Sequence, residues 1–122
     1  MNIVVISGNL TRDPNIKVTP SGAKVMDFSV AVNERRKNQQ TGEWESVPHY
    51  VDCVIFGKRA ESLGNILKKG MKVVVEGRLN YSSWERDGQR RSKLEVLANN
   101  IELPPRSQQP QQQDDFDQDF PF

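Results

Sequence analysis

Only one segment of this chain carries helical periodicity, and its other apolar residues fall in β-branched runs or alternate at period two. Ala60, Leu63, Ile66 and Leu67 share one face at helical spacing, which predicts a helix over residues 60–67. Lys68 and Lys69 suit its negative C-terminal end, and Gly70 is placed to terminate it. Residues 2–10 (NIVVISGNL) read as a first strand, with Gly8 marking a bulge or bend. Asp13-Pro14 breaks it, and residues 16–18 are a candidate continuation of the sheet. After a turn at residues 19–22 (TPSG), Met26, Phe28, Val30 and Val32 alternate with Val25, Asp27, Ser29 and Ala31, a second strand with one face committed to a core. Residues 34–45 (ERRKNQQTGEWE) read as a long loop or flexible hairpin tip. Residues 47–56, 72–84 and 90–103 supply three more strands, and Asp87-Gly88 predicts a tight hairpin turn between the last two.

The order is strand, strand, strand, helix, strand, strand. A mainly β chain of this kind matches the five-stranded Greek-key barrel called the OB-fold, with one short helix between strands three and four and long hairpin arms. Two packed layers satisfy the same pattern, but closure is preferred because a short chain must dispose of its sheet edges. At 122 residues there is room for one domain, expected over residues 1–103. Residues 104–113, rich in glutamine and proline, bury too little apolar surface to order themselves and are expected to form a disordered linker. The chain then ends in residues 114–122 (DDFDQDFPF), an acidic tip.

Enzyme chemistry lacks its parts. His49 stands alone beside Pro48, and Cys53, the single cysteine, lies on the apolar parity of its strand as an inert core thiol. One cysteine excludes an intrachain disulfide and a cysteine-based metal cluster. No nucleophile elbow, phosphate-cradling glycine loop or metal-binding helix motif occurs, so no catalytic residue, metal or cofactor is expected. With neither a signal peptide nor a membrane-spanning apolar run, a cytoplasmic location is the default expectation.

Taken alone, the third strand, VPHYVDCVIF, favours packing, since aromatics usually mark packing rather than ligands, and the other segments shift that balance. Val51, Cys53 and Ile55 form its apolar face, and Tyr50, Asp52, Val54 and Phe56 form the other, running into Lys58 and Arg59. Rings beside cations on an outer sheet face suit unpaired bases, although the same rings also suit packing under a neighbouring element. Other segments add Trp84 near the second hairpin tip, then Arg35, Arg36 and Lys37 on the first arm and Arg78, Arg86, Arg90 and Arg91 on the second. Loops and middle strands of an OB-fold border one groove, where these cations would meet phosphates while the rings stack on bases. Charge supports this division. The tail after Leu103 has one cation (Arg106) against four acids and carries −3, which leaves +4 on residues 1–103 of a chain whose net charge is +1. Phe116, Phe120 and Phe122 among Asp114, Asp115, Asp117 and Asp119, with Pro121 before the free carboxylate, suit a peptide ligand for a basic, apolar pocket on another protein.

The runs GNLTRDP (residues 8–14), VIFGK (54–58) and LKKGMKVVVEGRL (67–79), Trp84 with its Asp-Gly turn, and the DDFDQDFPF end together resemble the bacterial single-stranded DNA-binding proteins over nearly the whole chain. The resemblance implies an OB-fold, a homotetramer, and sequence-tolerant binding of single-stranded DNA during replication, recombination and repair. It implies base stacking at Tyr50, Phe56 and Trp84, basic contacts at Lys58 and Lys69, and docking of partner enzymes on the tip. Arg36 stands where some relatives place another stacking tryptophan, Phe120 where they usually have an aliphatic residue, and the tether is short for the family. An RNA-binding or primosome-type OB module, or a scaffold using the barrel only for assembly, fits the same residues without that resemblance.

Overall fold

In the computed structural model, residues 1–104 are described; the linker after residue 104 and the tip at residues 114–122 lie outside them. The elements are β1 (Val4–Leu10), β2 (Asn15–Val18), β3 (Lys24–Lys37), β4 (Trp44–Phe56), α1 (Lys58–Gly64), β5 (Lys72–Arg86) and β6 (Gln89–Glu102). Five strands close a barrel in the order β1-β5-β6-β4-β3, because β1 pairs with β5 along Val4–Asn9 and with β3 at Asn9 and Leu10. The short β2 lies beside the start of β3. Pairing is antiparallel throughout except between β4 and β6, where Cys53 faces Val96 in parallel register. This is the OB-fold topology expected from the sequence.

The alternation of β3 decides the core. Met26, Phe28 and Val30 are fully buried, joined by Cys53 and Ile55 of β4, Val73 and Val75 of β5, and Val96, Ala98 and Ile101 of β6. Each large side chain taken from water contributes roughly 1.5–3 kcal/mol, so this interior supplies most of the drive to close. Helix α1 caps one end by burying Ala60, and Leu67 beyond it closes the same apolar face. Gly64 lets the helix sit directly on β2, since a Cβ there would fall 2.1 Å from Ile16 Cδ1.

Three expectations are corrected. The helix begins at Lys58 and ends at Gly64, and Ile66, placed on its buried face, is half exposed. Gly70 does not terminate it; with φ of 90° it turns the chain before β5 and donates its N–H to the Leu10 carbonyl at 2.8 Å. Of the two readings of residues 34–45, the hairpin holds and the long loop does not. The ladder of β3 and β4 runs on to Lys37 opposite Trp44, and only residues 38–43 turn. Asn38 closes that turn, its Oδ1 accepting from the N–H groups of Gln40 (2.8 Å) and Thr41 (3.2 Å). A polar hairpin in water holds by its ladder and cross-strand pairs, with no buried face to betray it. The second arm ends as expected, with positive φ at both Asp87 (54°) and Gly88 (77°), the geometry of a two-residue hairpin loop.

Two outcomes test this packing. A Cβ at Gly8 would lie 2.2 Å from the Ala31 carbonyl oxygen across the β1–β3 junction. Gly8→Ala should therefore lower stability by about 1–3 kcal/mol or more, read from the urea midpoint, while a wild-type midpoint would contradict the closure described. Burial, helped by nearby Asp52 and Glu95, pushes the Cys53 thiol up to about 12 from 9.0. The folded chain keeps that proton where the unfolded chain has lost it, so stability should fall as pH rises from about 9 towards 12. Cys53→Ala should flatten this alkaline limb, and the native thiol should resist thiol reagents at pH 8 until urea unfolds the chain.

Candidate nucleic-acid interface

Strand register separates the two faces of the sheet. Phe28, Cys53 and Val96 form one cross-strand row, each about 1% exposed, so the alternate row Asp27, Val54, Leu97 and Arg78 lies on the outer side. Counting by twos along β4 from Val54 places Phe56, Tyr50 and Trp44 on that outer side, 56%, 70% and 60% exposed. Six residues separate each ring from the next, roughly 20 Å of extended strand. On β5 the same parity carries Arg78, Trp84 (43% exposed) and Arg86. Opposite Trp84 lies Arg91 of β6, and Lys93 follows opposite Ser82. Arg35 and Lys37 of β3 complete the row, and the Arg35 guanidinium stands over the Trp44 ring at 5.7 Å from its centroid.

Eight of the thirteen residues singled out for this role share that face: Tyr50, Phe56, Trp84, Arg35, Lys37, Arg78, Arg86 and Arg91. Five do not. Arg36 lies on the opposite parity of the first arm, paired with Glu34 at 3.0 Å, and His49 Nε2 sits 3.0 Å from the same carboxylate. These contacts, His49 first and then Arg36, hold the Glu34 carboxyl below its ordinary range. Arg90 lies on the inner parity of the second arm, donating to Ser83 Oγ at 3.5 Å. Lys58 opens α1 and borders a shallow cleft with Lys24 and Glu61. Arg59 reaches across to β6, where its guanidinium donates to the Asn99 carbonyl and, at 2.8 Å, to Asn100 Oδ1. Lys69 stands in the loop before β5, its backbone N–H held by Asp13 Oδ1 at 2.8 Å.

Trp44 and Lys93, not among the residues expected here from the sequence, also lie on this face. Trp44 belongs to the stretch expected as loop or hairpin tip, and its even spacing from Tyr50 and Phe56 becomes a signal once the strand is extended to it.

Two acids on this face are paired, while Asp52, between Tyr50 and Val54, makes no ion pair among the described residues. Asp27 is paired with Arg12 and Lys17, both at 3.4 Å, and Glu95 with Lys93 at 3.5 Å. Arg78, Arg86 and Arg91 make no ion pair among the described residues. No group of three or more metal-ligating side chains occurs among the described residues, and no helix there is long and apolar enough to cross a membrane. Flat rings alternating with unpaired guanidinium groups can stack on bases and neutralise phosphates.

Residues 1–104 match the model of the single-strand binding protein family. A single-stranded DNA-binding protein of Borreliella burgdorferi is 48% identical over 105 residues, 84% of this chain and 69% of the relative. One from Treponema pallidum is 43% identical over 103 residues, and this chain spans 57% of its length. Among solved structures, a deletion mutant of the single-stranded DNA-binding protein of Thermus aquaticus superposes with a TM-score of 0.77 at 33% identity, covering 89% of this chain and 52% of that one. A Plasmodium falciparum SSB in complex with single-stranded DNA gives 0.71 at 28% identity, covering 84% and 92%.

Both indoles being solvent-facing has a direct optical consequence. Acrylamide should quench native tryptophan fluorescence nearly as well as it does in urea, and replacing Trp44 or Trp84 by Phe should remove a quenchable fraction in each case. A protected, blue-shifted emission from either ring would place it inside the fold instead.

Proposed function

The chain belongs to the single-strand binding protein family, and we propose that it coats single-stranded DNA without regard to sequence, as a binding protein rather than an enzyme. The observation that carries this reading is the shared outer face. Trp44, Tyr50, Phe56 and Trp84 present open rings there, interleaved with Arg35, Lys37, Arg78, Arg86 and Arg91. Every base has a π-face, so stacking tolerates any sequence, while the cations follow the phosphates all bases share. Neither interaction needs the partner strand, and a duplex hides the faces that stacking requires. The relatives named above support the same ligand.

Two further parts of the proposal have separate supports. Self-association, expected as a homotetramer, fits the unpartnered apolar surface: Ile3 just before β1 and Val5 within it are exposed, as are Leu79, Tyr81 and Leu94 on the inner side of the second arm. The tip at residues 114–122, with its phenylalanines among acids, suits docking of replication, repair and recombination proteins while the barrel holds the strand.

Titration of tryptophan fluorescence with oligo-dT, at several salt concentrations, tests the first part. Affinity should fall with salt at a slope of about −0.7 per phosphate neutralised. Tyr50→Ala, Phe56→Ala and Trp84→Ala should each cost about 1–3 kcal/mol of binding. Matching RNA should bind no better than dT; a clear preference for RNA, or no quenching by either, would overturn the coat. Removing residues 114–122 should leave dT affinity equal or mildly higher at low salt, and should abolish retention of the proteins that the immobilised intact chain captures. Unchanged capture would remove the docking role of the tip.

A further inference from the structure

The ladder between β5 and β6 slips by one residue at a defined place. Glu76 faces Asn100 and Gly77 faces Ala98, so Asn99 is an extra residue in β6 with no partner opposite. Such a bulge leaves backbone groups outside the ladder. Here the orphaned Asn99 carbonyl accepts from the Arg59 guanidinium, which also donates to Asn100 Oδ1 at 2.8 Å. Asn100 in turn donates from Nδ2 to Glu102 Oε2 at 3.0 Å. From the β5 side the bulge is held open by Gly77, where a Cβ would fall 2.1 Å from the Leu97 carbonyl oxygen.

This bulge forms one wall of a cleft of about 300 Å³ that Phe56, Arg59, Arg78, Leu97 and Asn99 help to line. The cleft therefore opens beside one of the exposed rings of the outer face. Of its two cations only Arg78 is uncommitted; its side chain makes no hydrogen bond or ion pair among the described residues. Arg59 has its planar fork turned onto two fixed acceptors of β6.

We propose that Arg59 is a positioning residue for a nucleobase cleft at Phe56 and not a phosphate ligand: it fixes the Asn99 bulge, and the bulge shapes the space in which a base lies against the Phe56 ring. The inference rests on the single-strand reading above and refines the part Arg59 plays in it. Lysine at this position would keep the charge but lose the fork that spans both acceptors.

The test compares two probes, a dT oligomer and an abasic tetrahydrofuran oligomer of equal length, titrated into the intact chain at several salt concentrations. Arg59→Met should weaken dT binding by about threefold to tenfold, a fraction of one stacking contribution. It should leave abasic binding and the salt slope unchanged, so the preference for bases over bare backbone shrinks. Arg59→Lys should not restore that preference, and Asn100→Ala, which removes one acceptor without touching any charge, should reproduce part of the loss even if Arg59→Met fails to fold. In a Phe56→Ala background Arg59→Met should add nothing. For contrast, Arg78→Met should weaken both oligomers and lower the salt slope by about 0.7. The proposal is overturned if Arg59→Met behaves like Arg78→Met, if Arg59→Lys equals wild type, or if Asn100→Ala leaves the preference intact. A wild-type chain that prefers dT no more than the abasic oligomer would instead defeat the single-strand reading itself.

Discussion

Closure of the barrel through β1 is the constraint on which the remaining structure rests. One short strand must satisfy β5 along most of its length and β3 at its end, so its backbone approaches two neighbours at once. Gly8 makes this possible, because any side chain there would occupy the place of the Ala31 carbonyl. Once the ring of strands is shut, the inward side chains Phe28, Cys53, Val75 and Val96 have a sealed interior to fill. The outer row is then released from core duty, and rings that would otherwise be drawn inside by the hydrophobic effect remain at the surface.

That release gives the outer face its chemistry. Exposed aromatic side chains are unfavourable in water unless a partner covers them, and here three are spaced along β4 and a fourth stands on β5. A flexible polymer of stackable rings covers such an array more completely than a rigid protein surface does. The cations are divided in a way that composition conceals. Arg35, Lys37, Arg78, Arg86 and Arg91 stay with the rings, while Arg36 is held by Glu34 and Arg59 by the carbonyl and amide of the β6 bulge. Residues of equal charge thus take different work according to which acceptors the fold sets beside them.

The arms show how far a sequence can be read and where reading fails. Alternation marked β3 as far as Asn33 because Met26, Phe28, Val30 and Val32 face a core; past that point both faces meet water and the pattern dissolves. The ladder nevertheless continues to Lys37, held by backbone pairing and the Asn38 turn, which leave no hydrophobic trace. Ile66 failed for the opposite reason. Its spacing is helical, but α1 stops at Gly64 and the residue turns outward.

Periodicity, turn residues and one amphipathic segment, all of them local properties, thus determined the strand order, the place of the helix, the inert cysteine and the identity of the three stacking candidates from the sequence alone. Only the tertiary structure decided which cations accompany those rings, that Trp44 joins them, and that Arg59 is spent on a bulge. Those outcomes depend on register between strands far apart in the chain, where a shift of one residue moves a side chain to the other face of the sheet.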